Sequence, residues 1–234
     1  MKRIAIFVEG LTEQILVRRM LETVMEKKGV AIQTVKITGG HNIRISFTVM
    51  QAARVDRNTG YYVLIYDCGG ETNVKGYLMM QRQSLVDKGY TCIIGLRDVY
   101  PNFTHEEIPK LKKGLNFKVP QKGATTAIFL AVMETEAWFL GEYTHLRKIS
   151  QKLTPEFIQK RLGFNPKSEN MENREQPAWD LKSVYRLADH DYTKKRTKLN
   201  SIVARLDFNF FTRRLASKMQ SLGDFVYQLE DFFE

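Results

Sequence analysis

The stretch "RIAIFVEGLTEQILVRRMLETVMEKKG", residues 3 to 29, reads as a strand, a glycine turn and a helix in direct succession. "RIAIFV" (3 to 8) is a short apolar run rich in β-branched residues, the pattern of a strand buried on both faces. From residue 12 onward Leu16, Met20, Leu21 and Val24 fall on one helical stripe, and Gly29 stops it. A buried strand followed by an amphipathic helix is the repeating unit of a sheet with helical crossovers. The junction is the odd part. Two acids, Glu9 and Glu13, flank Gly10 at the strand end and in the first helical turn.

The same unit recurs along the chain. "VAIQTVKI" (30 to 37) predicts the next strand, closed by Gly39 and Gly40, and a helix is expected over "IRISFTVMQAARV" (43 to 55). Asn58 and Gly60 punctuate before "YYVLIYD" (61 to 67), the clearest strand in the sequence. "NVKGYLMMQRQSLVDKG" predicts a helix and "YTCIIGLRD" (90 to 98) another buried strand. After a polar connection holding Pro109 and Pro120, "TTAIFLAVMETEAWFLGEY" (125 to 143) begins as a strand and turns helical near Glu136. The expected fold class is therefore α/β, a mostly parallel sheet flanked by helices, over residues 1 to 145.

Residues 146 to 234 predict a mainly helical, basic C-terminal extension, with helices near 154 to 162, 180 to 190, 195 to 206, 208 to 219 and 222 to 233. "NPKSENMENREQPAW" (165 to 179) is polar, aperiodic and carries two prolines, which predicts a mobile loop. No internal repeat is present.

Composition sets outer limits. No apolar run is long enough to cross a bilayer, and Glu9 interrupts the opening "MKRIAIFVEG" too early for a secretion signal. Cys68 and Cys92 match no metal or redox spacing and predict reduced thiols in a cytoplasmic protein. The formal charge is +10, and most of it is concentrated. Ten Lys/Arg between Lys182 and Lys218 face only Asp189, Asp191 and Asp207. Such a concentration favours a polyanion, because each neutralised phosphate releases counterions; a solvated face of basic helices has the same composition.

Acids close four strand runs: Glu9, Asp67, Asp98, and the pair Glu134 and Glu136. In a parallel sheet the carboxyl ends of the strands share one edge, where such folds bind ligands. Clustered carboxylates repel one another unless a cation compensates them. Mg²⁺ or Mn²⁺ suits an all-oxygen set, and neither His nor Cys dominates as zinc would require. Five or six acids can hold one or two ions, the second stabilising the departing oxygen of a phosphodiester. Glu13 would then reach back over Gly10, although it is also an ordinary first-turn acid that favours the helix dipole. Glu134 and Glu136 share a face only if that stretch is extended.

The order "FVEGLTE", "TGGHN", "YYVLIYD" resembles the TOPRIM fold of topoisomerases, primases and overcoming-lysogenization-defect (OLD) nucleases. "LRDVYP", "METEAWFL", "DYTKKRTKLNSIVARLDF" and "DFVYQLEDFF" are similar to motifs of small stand-alone OLD-like proteins, often encoded beside an ABC-type ATPase in phage-defence loci. That resemblance implies metal binding by Glu9, Glu13, Asp67, Asp98, Glu134 and Glu136. It also implies charge stabilisation at phosphorus by Lys194. The implied activity is cleavage of DNA or RNA by a defence effector. The alternatives are a toxin-like or regulatory subunit docked on the ATPase with little catalysis of its own, and a non-catalytic nucleic-acid binder. One departure stands out: the third strand of TOPRIM proteins usually carries D-x-D, whereas this chain has Asp67-Cys68-Gly69. Either Glu71 or Asp98 supplies the second acid, or one of two ions is held weakly.

Lys194, Lys195, Arg196, Lys198, Arg213 and Arg214 are the expected backbone contacts to nucleic acid. "GGHN" (39 to 42) suits a phosphate cradle or a plain turn, with His41 as a possible substrate contact. Trp138 and Phe139 suit base stacking or, more simply, an apolar helix face packed on the sheet.

Overall fold

A computed structural model describes residues 1–40, 43–70 and 72–234, with Lys27 described by its backbone alone. Six strands form one sheet: β1 (Lys2–Val8), β2 (Val30–Gly40), β3 (Ile43–Gln51), β4 (Tyr61–Asp67), β5 (Cys92–Asp98) and β6 (Thr125–Ala131). Their order is β3-β2-β4-β1-β5-β6, and β1 pairs in parallel with both β4 and β5. The class is α/β, as the strand–helix alternation predicts. Ten α-helices are assigned among the described residues: α1 (Leu11–Val24), α2 (Asn73–Asp87), α3 (Ile108–Asn116), α4 (Glu136–Gly141), α5 (Thr144–Ile149), α6 (Pro155–Leu162), α7 (Pro177–Arg186), α8 (Arg196–Val203), α9 (Ala216–Lys218) and α10 (Gln220–Phe233).

One element is corrected. Residues 43 to 51, expected as the start of a helix, are the edge strand β3, antiparallel to β2. Ile43, Ile45, Phe47 and Val49 alternate with polar residues, the period of a strand rather than a helix. The helix was expected because two parallel strands need a crossover. Here β3 does that work. It runs back until Gln51 lies level with Thr34, so the chain is already near the amino edge when β4 begins beside Val30.

The chain divides into two compact units, Met1–Arg97 with Pro109–Leu130 and Leu229–Glu234, and Asp98–Ile108 with Ala131–Gln228. In the first, the centres of β1 and β4 are fully buried, and Phe7 stacks on Tyr66 with ring centroids 4.6 Å apart. Gly29 ends the first helical stretch at φ 63°, and a Cβ there would lie 2.3 Å from the Asn58 carbonyl oxygen, so only glycine fits. The last carbonyls of α10 belong to this unit: Phe233 O accepts from Lys28 Nζ at 2.6 Å and from Tyr61 Oη at 2.9 Å.

In the second unit α4 is buried along its whole length. Trp138 stacks on Phe225 and meets Phe211 edge-on, and its Nε1 donates to Ser221 Oγ at 3.2 Å. The polar 165–179 stretch is anchored here. It contains a 3-10 turn, Met171–Asn173, in which Met171 is fully buried and Glu172 accepts from Ser221 N and Oγ. Phe210–Leu215 forms a π-helical turn with Phe211 and Leu215 buried. No helix among the described residues is long and apolar enough to cross a membrane.

Candidate active site

The strand register puts three acids at one edge of the sheet. Asp67 is the last residue of β4 and lies level with Val8, so Glu9 is the next residue beyond it on the neighbouring strand. On the other side of β1, Leu96 lies level with Val8, and β5 runs on two residues to end at Asp98. β4 and β5 thus end in carboxylates and β1 ends one residue before Glu9, whereas β6, the fourth expected run, stops at Ala131, three residues short of Glu134.

Backbone contacts tie β1 and β4 together beyond the sheet. Cys68 N donates to Val8 O and Gly70 N to Glu9 O, both at 2.9 Å. Gly69 N donates to Asp67 Oδ1 at 3.0 Å. Burial is the main cause that pushes the Cys68 thiol far up, with Asp67 and then Glu9 adding to it. Both neighbouring carboxylates are therefore felt at Cys68, whose thiol is held protonated at neutral pH.

Glu13 is buried and reaches back over Gly10: the Gly10 N–H donates to its Oε2 at 2.9 Å. This is the carboxylate half of a capping box, and glycine has no side chain to return the bond. Glu13 therefore has an N-terminal capping role for α1, the ordinary first-turn reading, whatever else it does. Among the described residues, a Cβ on Gly10 would meet only Glu13 Oε2, at 3.6 Å, an ordinary contact distance.

The second unit holds its own polar group. Asp98 Oδ1 accepts from Thr135 N at 3.1 Å, and Glu134 Oε2 accepts from Ala178 N at 2.9 Å in the first turn of α7, where the helix dipole favours an anion. Glu136 starts α4 and is fully buried. Its Oε1 accepts from Tyr192 Oη at 2.6 Å and from Lys194 Nζ at 2.9 Å, while Oε2 is buried without a hydrogen-bond partner. Glu134 lies in the irregular turn before α4 and Glu136 opens that helix, and the two bond different partners. Lys194 pairs with Glu136 directly, a contact that sequence spacing does not reveal.

The unmatched Glu136 Oε2 has the chemistry to meet a hard cation. Among the described residues, no three His, Cys, Asp or Glu side chains are gathered as a ready-made ligand set. Glu71 and His41 lie outside the described residues.

A family model described as a domain of unknown function (DUF4276) matches residues 8–230. The chain belongs to the DUF4276 family. No curated protein and no solved structure matches it. In this DUF4276 chain Lys195, Arg196, Lys198, Arg213 and Arg214 are all exposed, and Lys194 is half exposed. Trp138 and Phe139 are core residues of the DUF4276 chain, at 1% and 0% exposure, so neither is a stacking surface. The exposed tryptophan is Trp179, at 58%. It sits inside the polar stretch read as loop, where no period marks it. His145 is buried, with Nδ1 on Glu142 O at 2.5 Å and Nε2 on Tyr185 Oη at 3.2 Å. Cys68 and Cys92 are both free.

Proposed function

We propose that this protein is a cytoplasmic, metal-dependent nuclease that hydrolyses nucleic-acid phosphodiester bonds as the effector of an anti-phage system. The observation that carries the reading is the run of carboxylates at the ends of β1, β4 and β5, three neighbouring parallel strands. Glu9, Asp67 and Asp98 are the residues that would hold Mg²⁺ or Mn²⁺, one ion or two. Glu13, Glu134, Glu136 and Lys194 enter on the TOPRIM resemblance, and the unmatched Glu136 Oε2 supports including Glu136. A divalent ion, when bound, supplies an activated water and neutralises charge on phosphorus.

The side chains have distinct work to do. The carboxylates would hold the cation, and Gly10, with no side chain between Glu9 and Glu13, would leave room beside it for a phosphate oxygen. Lys194, held by Glu136, presents a cation to the developing negative charge. The exposed basic residues from Lys195 to Arg214 grip the backbone without reading sequence. A docked ABC-type ATPase as partner rests on the resemblance.

The test is cleavage of plasmid, single-stranded DNA and tRNA by the purified protein with Mg²⁺ or Mn²⁺, set beside Glu9→Ala. Cleavage lost with Glu9 supports the nuclease. No cleavage with either ion on any substrate overturns it in favour of a regulatory subunit.

A further inference from the structure

We propose that the cleft beside Lys194 takes one unpaired nucleotide, with Trp179 as the platform for its base. The proposal rests on the nuclease reading and names its substrate class, single-stranded or locally unpaired nucleic acid. The cleft, of about 310 Å³, is lined by Tyr100, Trp179, Lys182, Tyr192, Thr193 and Lys194 among others. That volume is at the lower end of small-ligand pockets. It suits a single nucleotide.

Tryptophan is highly buried on average, so one left 58% exposed at a cleft mouth calls for an occupant. Trp179, Lys182 and Arg186 follow the i, i+3, i+7 spacing along α7, which puts an aromatic ring and two cations on one helix face. The Arg186 guanidinium carbon lies 6.0 Å from the indole centroid. Lys182 and Lys194 supply the charge complement of a phosphate at the same cleft. Glu134, the acid of the cleft lining, has its Oε2 on the Ala178 N–H. Bases stack on aromatic rings only when freed from their own stack, so a paired duplex cannot use this surface.

The experiment measures binding without cleavage, in EDTA at fixed salt. Short labelled oligonucleotides of unpaired DNA, unpaired RNA, blunt duplex and abasic DNA are compared by anisotropy, and tryptophan emission is followed in parallel. Because Trp138 is buried, quenching reports Trp179. Unpaired chains should bind about tenfold tighter than duplex or abasic chains and quench the emission. Trp179→Ala should lower affinity for unpaired chains to the abasic level, and Trp179→Phe should stay within about twofold of wild type. The DNA and RNA arms separate the two sources of the same chemistry. Equal binding by Trp179→Ala and wild type overturns the proposal, as does affinity for duplex or abasic chains equal to that for unpaired ones, or no binding at all. Glu9-dependent cleavage with an inert Trp179 removes the platform and leaves the nuclease; quenching without any cleavage does the reverse.

Discussion

Replacing Glu136 with glutamine should barely change stability while it damages the site. Glu136 is fully buried, and only one of its oxygens is bonded, to Tyr192 Oη and Lys194 Nζ. Leaving a buried charged acceptor unmatched costs on the order of 1–3 kcal/mol, and the neutral amide recovers part of that. Against it, the Tyr192 bond loses its charge assistance, about 1 kcal/mol. The Lys194 pair is worth roughly 1 kcal/mol or less, because that lysine is 51% exposed and screened by solvent. The three terms nearly cancel, so Glu136→Gln should lie within about 1 kcal/mol of wild type, or about 3 °C in melting temperature for a chain of this size. Breaking a buried pair that exists for stability costs about 3–5 kcal/mol instead. Thermal melts in EDTA, repeated with MnCl₂, measure both sides. Wild type should gain stability on binding the metal, by about 2.7 kcal/mol at a hundredfold excess over Kd, and the variant should gain less. A variant that melts ten degrees lower in EDTA, yet takes up manganese and cleaves as wild type does, would show that Glu136 is a structural ion-pair partner.

Gly95→Ala places a Cβ 2.9 Å from Val74 Cγ1 and 3.2 Å from Ile128 Cγ1, so it should destabilise by about 1–3 kcal/mol. A urea midpoint equal to wild type would show that the gap beside β5 is looser than described. At alkaline pH, burial pushes Tyr66 up to about 12, and the fold keeps it protonated where the unfolded chain has released the proton. Its stabilising contribution is complete below about pH 10 and is lost as pH rises through about 12. Urea midpoints should fall across that window, and fall less steeply in Tyr66→Phe; parallel profiles would refute the assignment.

Local chemistry was legible without coordinates. The strands 3–8, 30–37, 61–67 and 90–98, the helical stripe after Gly10 and the acids at the strand ends follow from period, β-branching and turn residues, which act over a few neighbours. At 43–51 the local alternation competes with the need for a crossover, and only pairing with β2 decides for a strand. Trp138 and Trp179 show the same limit from the other side. "EAWFL" and "PAWDL" look equally able to present an indole, yet one ring is packed on Phe225 and the other is exposed.

What the chain determined alone was the set of elements and the recurrence of an acid where buried strands end. Which residues share an edge, which ring meets solvent, and that Lys194 finds Glu136 across 58 positions of sequence were decided only in three dimensions. Strand register and burial are set by long-range packing, and no local window of sequence contains them.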